Sequence, residues 1–182
     1  MKLDFQAKFL QHLNQKKQQD EGFTLIELLV VIIIIGILAA IALPSLLGQV
    51  NKAKQSEAKN NIGALNRAQQ AYQLEYTTFA TGLTQLGIGI KSQTVNYQYT
   101  IELNGSNVLI NKGTAVKPAL KSYAGLVATI TGDETTGEVL TIAAACESVN
   151  PTTVAFSEGV TAETVNDATA PCGSTEWKSL GR

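Results

Sequence analysis

The chain has few of the residues on which most enzymes depend. Its 182 residues include one histidine, His12, and two cysteines. His12 lies near the N-terminus, in a segment that we expect to be removed. Without it the chain can form no Ser-His-Asp triad, no Cys-His pair and no histidine-ligated metal site. Two cysteines alone cannot fill a structural zinc site. The composition therefore argues against an enzyme, and we expect neither a metal nor a cofactor.

An excess of charge of one sign is also lacking. The 14 lysine and arginine residues nearly balance the 15 aspartate and glutamate residues, which leaves a net charge of −1. A chain with this balance has no overall electrostatic attraction to nucleic acid or to an anionic membrane. We therefore expect no specific nucleic-acid partner.

One long apolar run dominates the sequence. No charged residue occurs between Glu27 and Lys52, and 14 of the 20 residues from Leu28 to Leu47 are leucine, isoleucine or valine. About 20 apolar residues suffice for a helix to cross the hydrocarbon core of a bilayer. The alternative, a helix buried in a soluble domain, is usually shorter and would need a much larger protein around it. The run therefore predicts a membrane-spanning helix.

A carboxylate stands almost at the start of this run. Glu27 would cost about 2.5 to 3.5 kcal/mol at mid-membrane, and less near the interface. It could lie among the headgroups and offset the helix dipole, or it could pair with a specific cation. The neighbouring sequence offers no lysine or arginine for that pairing. A cut between Gly22 and Phe23 would create the missing cation, a new α-amino group on the same chain or on a neighbour.

The residues around this carboxylate resemble a known family. Gly22-Phe23-Thr24-Leu25-Ile26-Glu27-Leu28, followed by the apolar run and Pro44, is similar to the N-terminus of type IV pilins. The resemblance implies that a prepilin peptidase cuts after Gly22 and methylates the new N-terminal residue, Phe23. It also implies that Glu27 is the glutamate that directs assembly.

The resemblance implies an organisation for the whole chain. Residues 1–22 would be a leader that is removed, residues 23–50 a helix that is first a membrane anchor and then the filament core, and residues 51–182 a globular head. The protein would be a structural subunit of a type IV pilus that serves motility, adhesion or DNA uptake. Its partners would be further copies of itself, the prepilin peptidase and the inner-membrane assembly machinery. It would lie in the inner membrane before assembly and in an extracellular pilus afterwards.

Two other interpretations stay open. A pseudopilin of a type II secretion system has the same kind of N-terminus and would stay in the periplasm. Alternatively, Ala40-Ile41-Ala42 has the A-x-A pattern of a signal-peptidase site, and cleavage there would release a secreted protein that begins at Leu43. The long segment before the apolar run and the position of Glu27 argue against that second interpretation.

The helix is expected to continue beyond the apolar run. Pro44 removes one backbone hydrogen bond and predicts a kink. Beyond it, apolar or small residues three or four positions apart predict a single apolar stripe. The stripe consists of Val50, Ala53, Ala58, Ile62, Leu65, Ala68, Tyr72, Tyr76 and Phe79. The opposite face is predicted to carry Lys52, Lys54, Gln55, Lys59, Asn60, Asn66 and Arg67.

The remainder predicts a small antiparallel sheet. Tyr97 to Leu103 alternates in polarity, and Asn104-Gly105 is a strong hairpin signal before a second strand, Val108 to Asn111. Ala124 to Thr131 and Glu138 to Ala144 are two more strand-like runs. Four antiparallel strands would cover the stripe of the helix and give an α+β pilin fold. The segments 77–94 and 149–171 show no clear period and are predicted to be loops.

The two cysteines enclose a C-terminal segment. In an oxidising compartment Cys146 and Cys172 should form a disulfide worth about 3 to 4 kcal/mol, whereas two free buried thiols are the alternative. Type IV pilins recurrently have an exposed C-terminal loop bounded by a disulfide, so the resemblance favours the pairing.

Overall fold

A computed structural model describes residues 22–133, 138–157, 159–167, 171–173 and 175–181. The chain divides into two compact units, Met1–Leu47 and Gly48–Arg182. The predicted leader, apart from Gly22, lies outside the described residues. A long helix, α1, runs Leu25–Tyr76 and supplies residues to both units.

The described part of the first unit is a helix without a core. From residue 22 to residue 47 every residue is exposed except Ala39, which is half-buried. The α1 helix is long and apolar enough to cross a membrane, a criterion that a signal sequence near an N-terminus also satisfies. Among residues 22–47 the apolar side chains are therefore not buried against one another.

The second unit contains a five-stranded sheet with sequential strand order. All neighbouring strands are antiparallel. The strands are β1 (Tyr97–Asn104), β2 (Val108–Ala115), β3 (Tyr123–Asp133), β4 (Glu138–Ser148) and β5 (Trp177–Ser179). Gly105 turns the β1–β2 hairpin with a φ of 73°, a conformation that glycine adopts without strain. A short helix, α2, spans Ala162–Asn166.

The sheet is covered on both faces. On one face, Ala58, Ile62 and Leu65 of α1 form a buried cluster with aromatic and aliphatic residues of the sheet and its loops, namely Tyr97, Tyr99, Ala115, Leu120 and Tyr123. Residues of opposite alternation in β2, β3 and β4 form a second buried cluster with the C-terminal segment. Its members from that segment include Phe156, Val160, Val165 and Cys172. Alternation along the strands thus gives two cores, one on each side of the sheet.

A glycine leaves space where the helix packs on the sheet. A Cβ atom on Gly125 of β3 would lie 2.1 Å from Asn66 Oδ1 and 2.9 Å from Ile62 Cγ2. Asn66 Nδ2 donates to the Ala144 carbonyl at 3.0 Å, and its Oδ1 accepts from Asn111 Nδ2 at 3.0 Å. Glycine at position 125 makes room for a polar contact that fixes the register of α1 on the sheet.

The structure confirms the predicted fold class, a long N-terminal helix on a small antiparallel sheet, and corrects several details. The sheet has five strands rather than four. The fifth strand, β5, pairs with β4 through only three residues, which are too few to show a period in the sequence. Asn66 was predicted on the polar face but is buried, since its amide is satisfied by β2 and β4. The predicted loop 149–171 contains α2. Three members of the predicted stripe are exposed: Val50, Ala53 and Tyr76.

Candidate functional site

The α1 helix begins with a reciprocal pair of hydrogen bonds. Glu27 Oε2 accepts from the Thr24 backbone N–H at 2.8 Å and from the Thr24 hydroxyl at 2.7 Å. In return Thr24 Oγ1 accepts from the Glu27 backbone N–H at 3.3 Å. This arrangement is a capping box, which satisfies backbone donors that the first turn of a helix leaves unpaired. The carboxylate of Glu27 is therefore held against the helix start rather than extended away from it.

The second carboxylate oxygen of Glu27 stays available. Among the described residues no group donates a hydrogen bond to Oε1, and no lysine or arginine occurs from Gly22 to Asn51. A shallow groove of about 360 Å³ lies beside it and is lined by Phe23, Ile26, Glu27, Val30 and Val31. Its lining combines apolar walls with one negative charge. Such a surface can receive an apolar side chain together with a cation.

The predicted cleavage point precedes the helix. Gly22 and Phe23 are both exposed and lie outside α1. A Cβ atom built on Gly22 would meet nothing within 4 Å. The described part of the chain therefore gives no structural reason for glycine at position 22.

Pro44 lies inside α1, as the sequence indicated, and the helix continues beyond it. Whether it bends the helix stays a prediction. Gly36 is the other helix-weakening residue of the run. A Cβ atom built on it would also meet nothing within 4 Å.

The two cysteines are joined in the second unit. Cys146 on β4 and Cys172 form a disulfide with a Cα–Cα distance of 5.9 Å, across a sequence separation of 26. Both are buried in the core between the sheet and the C-terminal segment, beside Phe156 and Trp177. The rings of Phe156 and Trp177 meet edge to face with their centroids 4.8 Å apart. The bond thus ties the C-terminal segment to the sheet face that it covers. No group of three or more potential metal ligands occurs among the residues that the structure describes.

Sequence reasoning missed Thr24 as a partner of Glu27. The spacing Thr-x-x-Glu before an apolar run is the signature of a capping box and could have indicated it. Sequence reasoning also missed a group of lysines around Glu147. The three lysines and Glu147 come from four separate segments, so no local pattern brings them together.

Two family models match the chain. The model described as type IV pilin-like G and H matches residues 55–173. The model of the prokaryotic N-terminal methylation motif matches residues 17–43. The first covers most of the second unit, and the second covers the candidate cleavage and assembly residues.

Individual relatives fall into two groups. The type II secretion system core protein G of Aeromonas hydrophila is 35% identical over 108 residues, which are 59% of this chain and 61% of that protein. The corresponding core protein G of Pseudomonas aeruginosa is 40% identical over 85 residues, 46% of this chain and 58% of that protein. The type IV major pilin protein PilA of Myxococcus xanthus is 45% identical over 69 residues, 38% of this chain and 31% of that protein. The chain thus spans less than two thirds of the length of each of these relatives. No solved structure matches the chain.

Proposed function

The chain belongs to the type IV pilin-like G and H family, and on that premise we propose that it is a structural subunit of a helical filament, with a surface pilus as the first candidate. The family is one of structural subunits rather than enzymes. The apolar helix and the methylation motif fit anchoring in the inner membrane before assembly.

In this proposal the chain has three parts. Residues 1–22 form a leader that a prepilin peptidase removes, and Phe23 becomes the methylated N-terminus. Residues 23–50 hold the subunit in the membrane and later form the filament core. Residues 51–182 form the head that faces outward. An inner-membrane machinery would move the subunit from lipid into the filament.

The observation that carries the proposal is the state of Glu27. It stands at the start of an apolar stretch that is exposed from residue 22 to residue 47 except at Ala39, and no described residue occupies one of its carboxylate oxygens. Cleavage after Gly22 would supply an amine on every copy. Lipid and a neighbouring helix are similarly apolar, so the pairing of Glu27 with that amine would set the register between copies. Leaving one partner of such a buried pair alone costs about 3 to 5 kcal/mol. Since the contact is head-to-tail and does not close, it generates a filament.

A second candidate is the pseudopilin of a type II secretion system. It is favoured by the relatives named as core protein G, one of which aligns over more of this chain than the major pilin does. The mechanism of assembly would be the same, but the filament would remain in the envelope. Motility, adhesion and DNA uptake would then not be its roles.

The test is an intact mass with N-terminal peptide mapping, carried out separately on sheared surface material and on the envelope. We expect a chain that begins at Phe23, carries one extra methyl group and is two hydrogens lighter because of the disulfide. Its presence in the sheared fraction supports a pilus, and its restriction to the envelope supports a pseudopilus. A chain that begins at Leu43 would overturn both, because it would be an ordinary secreted protein.

A single substitution tests the cleavage site. Gly22→Ala should leave the uncut precursor in the membrane, because the added methyl group would disturb binding by the peptidase and not the chain's own fold. Gly36→Ala is the matched control, since its Cβ atom is equally unobstructed. Equal processing of both variants would show that the cut lies elsewhere.

A further inference from the structure

A buried carboxylate in the second unit gathers three lysines from distant segments. Glu147 on β4 is only 6% exposed. Its Oε2 lies 3.1 Å from Lys59 Nζ of α1, and its Oε1 lies 2.7 Å from Lys178 Nζ of β5. Lys121, just before β3, places its Nζ 3.7 Å from the same Oε1. One carboxylate therefore holds three ammonium groups at one surface.

The surroundings of Glu147 favour its ionised form. Burial by itself would raise the pKa of this carboxyl, but hydrogen bonds from Lys178 and Lys59 and the positive charges of Lys59 and Lys121 outweigh burial and lower the pKa below its ordinary value. Lys59 Nζ also lies 5.7 Å from the centre of the Tyr123 ring, which adds a cation–π contact. The lysines are thus positioned by the fold.

Lys59 and Lys121 border a pocket that has more positive than negative charge. The pocket has a volume of about 400 Å³ and is lined by Lys52, Gln55, Ser56, Lys59, Lys121 and Glu147. The lining has three lysines and a single carboxylate, that of Glu147, to which Lys178 also forms an ion pair. The unbalanced cations favour an anion in the pocket. Gln55 Oε1 accepts from the Tyr123 hydroxyl at 3.3 Å, and its amide nitrogen has no partner among the described residues.

The position of the pocket in the sequence indicates which anion. Lys52 follows Leu47, the last residue of the apolar run, by five positions. Lysines that closely follow a membrane-spanning run come to lie at the level of the lipid headgroups, where they attract anionic lipid. The folded head adds Lys59, Lys121 and Lys178 to that first lysine.

We propose that this lysine pocket binds the phosphate of an anionic membrane lipid while the subunit is anchored, and so docks the head on the bilayer before assembly. This inference rests on the membrane anchoring proposed above. A docked head would have to release the phosphate when the subunit enters the filament. The pocket would therefore set part of the barrier to extraction from the membrane.

The single tryptophan of the chain provides the measurement. Trp177 precedes Lys178 on β5, so energy transfer from it to a dansyl-labelled lipid headgroup reports how close this surface is to the membrane. The full chain would be reconstituted in vesicles of phosphatidylcholine and in vesicles where phosphatidylglycerol replaces part of it. We expect more transfer in the anionic vesicles, and its loss at high salt because screening weakens the attraction.

Lys52→Gln is the decisive variant, because Lys52 is exposed and its ammonium makes no ion pair with a described residue. It should weaken docking in anionic vesicles about five-fold, the effect of one lysine at such a surface. Lys91→Gln removes the same charge from an exposed position outside the pocket and should have little effect. Unfolding of the head should be unchanged in both variants.

Several outcomes would overturn the inference. Equal transfer in both kinds of vesicle would show that no anionic lipid is bound, and an equal loss in both variants would show only a general charge effect. Binding of inorganic phosphate that Lys52→Gln weakens, together with equal transfer in both kinds of vesicle, would make the pocket a site for free anions. Unchanged docking with lost filaments in Lys52→Gln would identify the occupant as a carboxylate of a second copy.

A chain that floats with vesicles but shows no difference in transfer contradicts only the pocket, whereas a chain that does not float contradicts the anchor as well.

Discussion

Two isoleucines of the same helix show how differently the two units treat apolar residues. Ile41, in the first unit, is 73% exposed, whereas Ile62, in the second, is 1% exposed. The difference does not lie in the residue type or in the secondary structure. It lies in what the chain supplies around each residue. The second unit provides a sheet that covers Ile62, whereas no residue that the structure describes in the first unit covers Ile41.

The exposed surface of the first unit is far larger than a soluble protein ordinarily tolerates. Monomeric soluble proteins rarely expose an apolar patch of more than a few hundred Å². Seventeen large apolar side chains between Phe23 and Leu47 are exposed in this unit. The sequence of the first unit is thus suited to surroundings outside the chain, which in our proposal are lipid and then other copies, and the sequence of the second unit is suited to a core of its own. Substitutions in the two units should therefore fail in different assays.

The largest expected effect is on assembly, through the first unit. Glu27→Ala should reduce filament yield by at least about tenfold, because the N-terminal amine of each copy would be buried without a partner at a cost of about 3 to 5 kcal/mol. Membrane insertion should be maintained, since the change removes a charge from the apolar run. Electron microscopy measures the filament yield, and vesicle flotation measures the insertion.

The matched control is Glu75→Ala, since Glu75 is an exposed glutamate near the other end of α1. Normal filament yield from Glu27→Ala would contradict the pairing.

The next effect is on the stability of the second unit. Replacing Cys146 and Cys172 together with alanine should lower the free energy of unfolding of the head by about 3 to 4 kcal/mol, because the disulfide closes a loop of this length and restricts the unfolded chain. Urea denaturation followed by Trp177 fluorescence measures it. Insertion of the first unit into vesicles should not change. A loss of insertion with unchanged head stability would reverse the assignment of roles to the two units.

A pair of glycines sharpens the comparison at smaller magnitude. Gly125→Ala should destabilise the head by about 1 to 3 kcal/mol, because the new methyl group would overlap Asn66 and Ile62 where α1 packs on the sheet. Gly36→Ala adds the same atom in the first unit, where nothing lies within 4 Å. It should leave the unfolding of the head unaltered. Equal stability of the two variants would mean that α1 can shift on the sheet without loss.

What could be predicted from the sequence follows the same division. The apolar run needed only composition and length, because an element suited to lipid carries its signal in consecutive residues. The hairpin after Asn104 and the stripe through Ile62 were predicted from local period and turn chemistry. Glu27 stood out as a carboxylate at the start of that run, the cut after Gly22 and the methylation of Phe23 rest mainly on the resemblance, and the roles of all three stay predictions.

The misses lie where distant segments meet. Asn66 reads as a surface residue on its own helix, and only the positions of Asn111 and Ala144 explain its burial. The β5 strand has three residues, too few to show a period. The lysines around Glu147 are separated by up to 119 positions, from Lys59 to Lys178. A pattern within one segment cannot report a contact that only the folded sheet creates.

The smallest expected effect is a pH dependence confined to the second unit. Glu147 has a pKa below its ordinary value in the folded head, because the hydrogen bonds and charges of Lys178, Lys59 and Lys121 outweigh burial. The folded state therefore holds this proton less tightly than the unfolded state does. The stabilisation is fully present above the ordinary carboxyl pKa and is lost as the pH falls through the lowered value. Denaturation measured across this acid range should show a steeper loss of stability in the parent chain than in Glu147→Gln. Equal slopes would mean that the three lysines do not stabilise the carboxylate in solution.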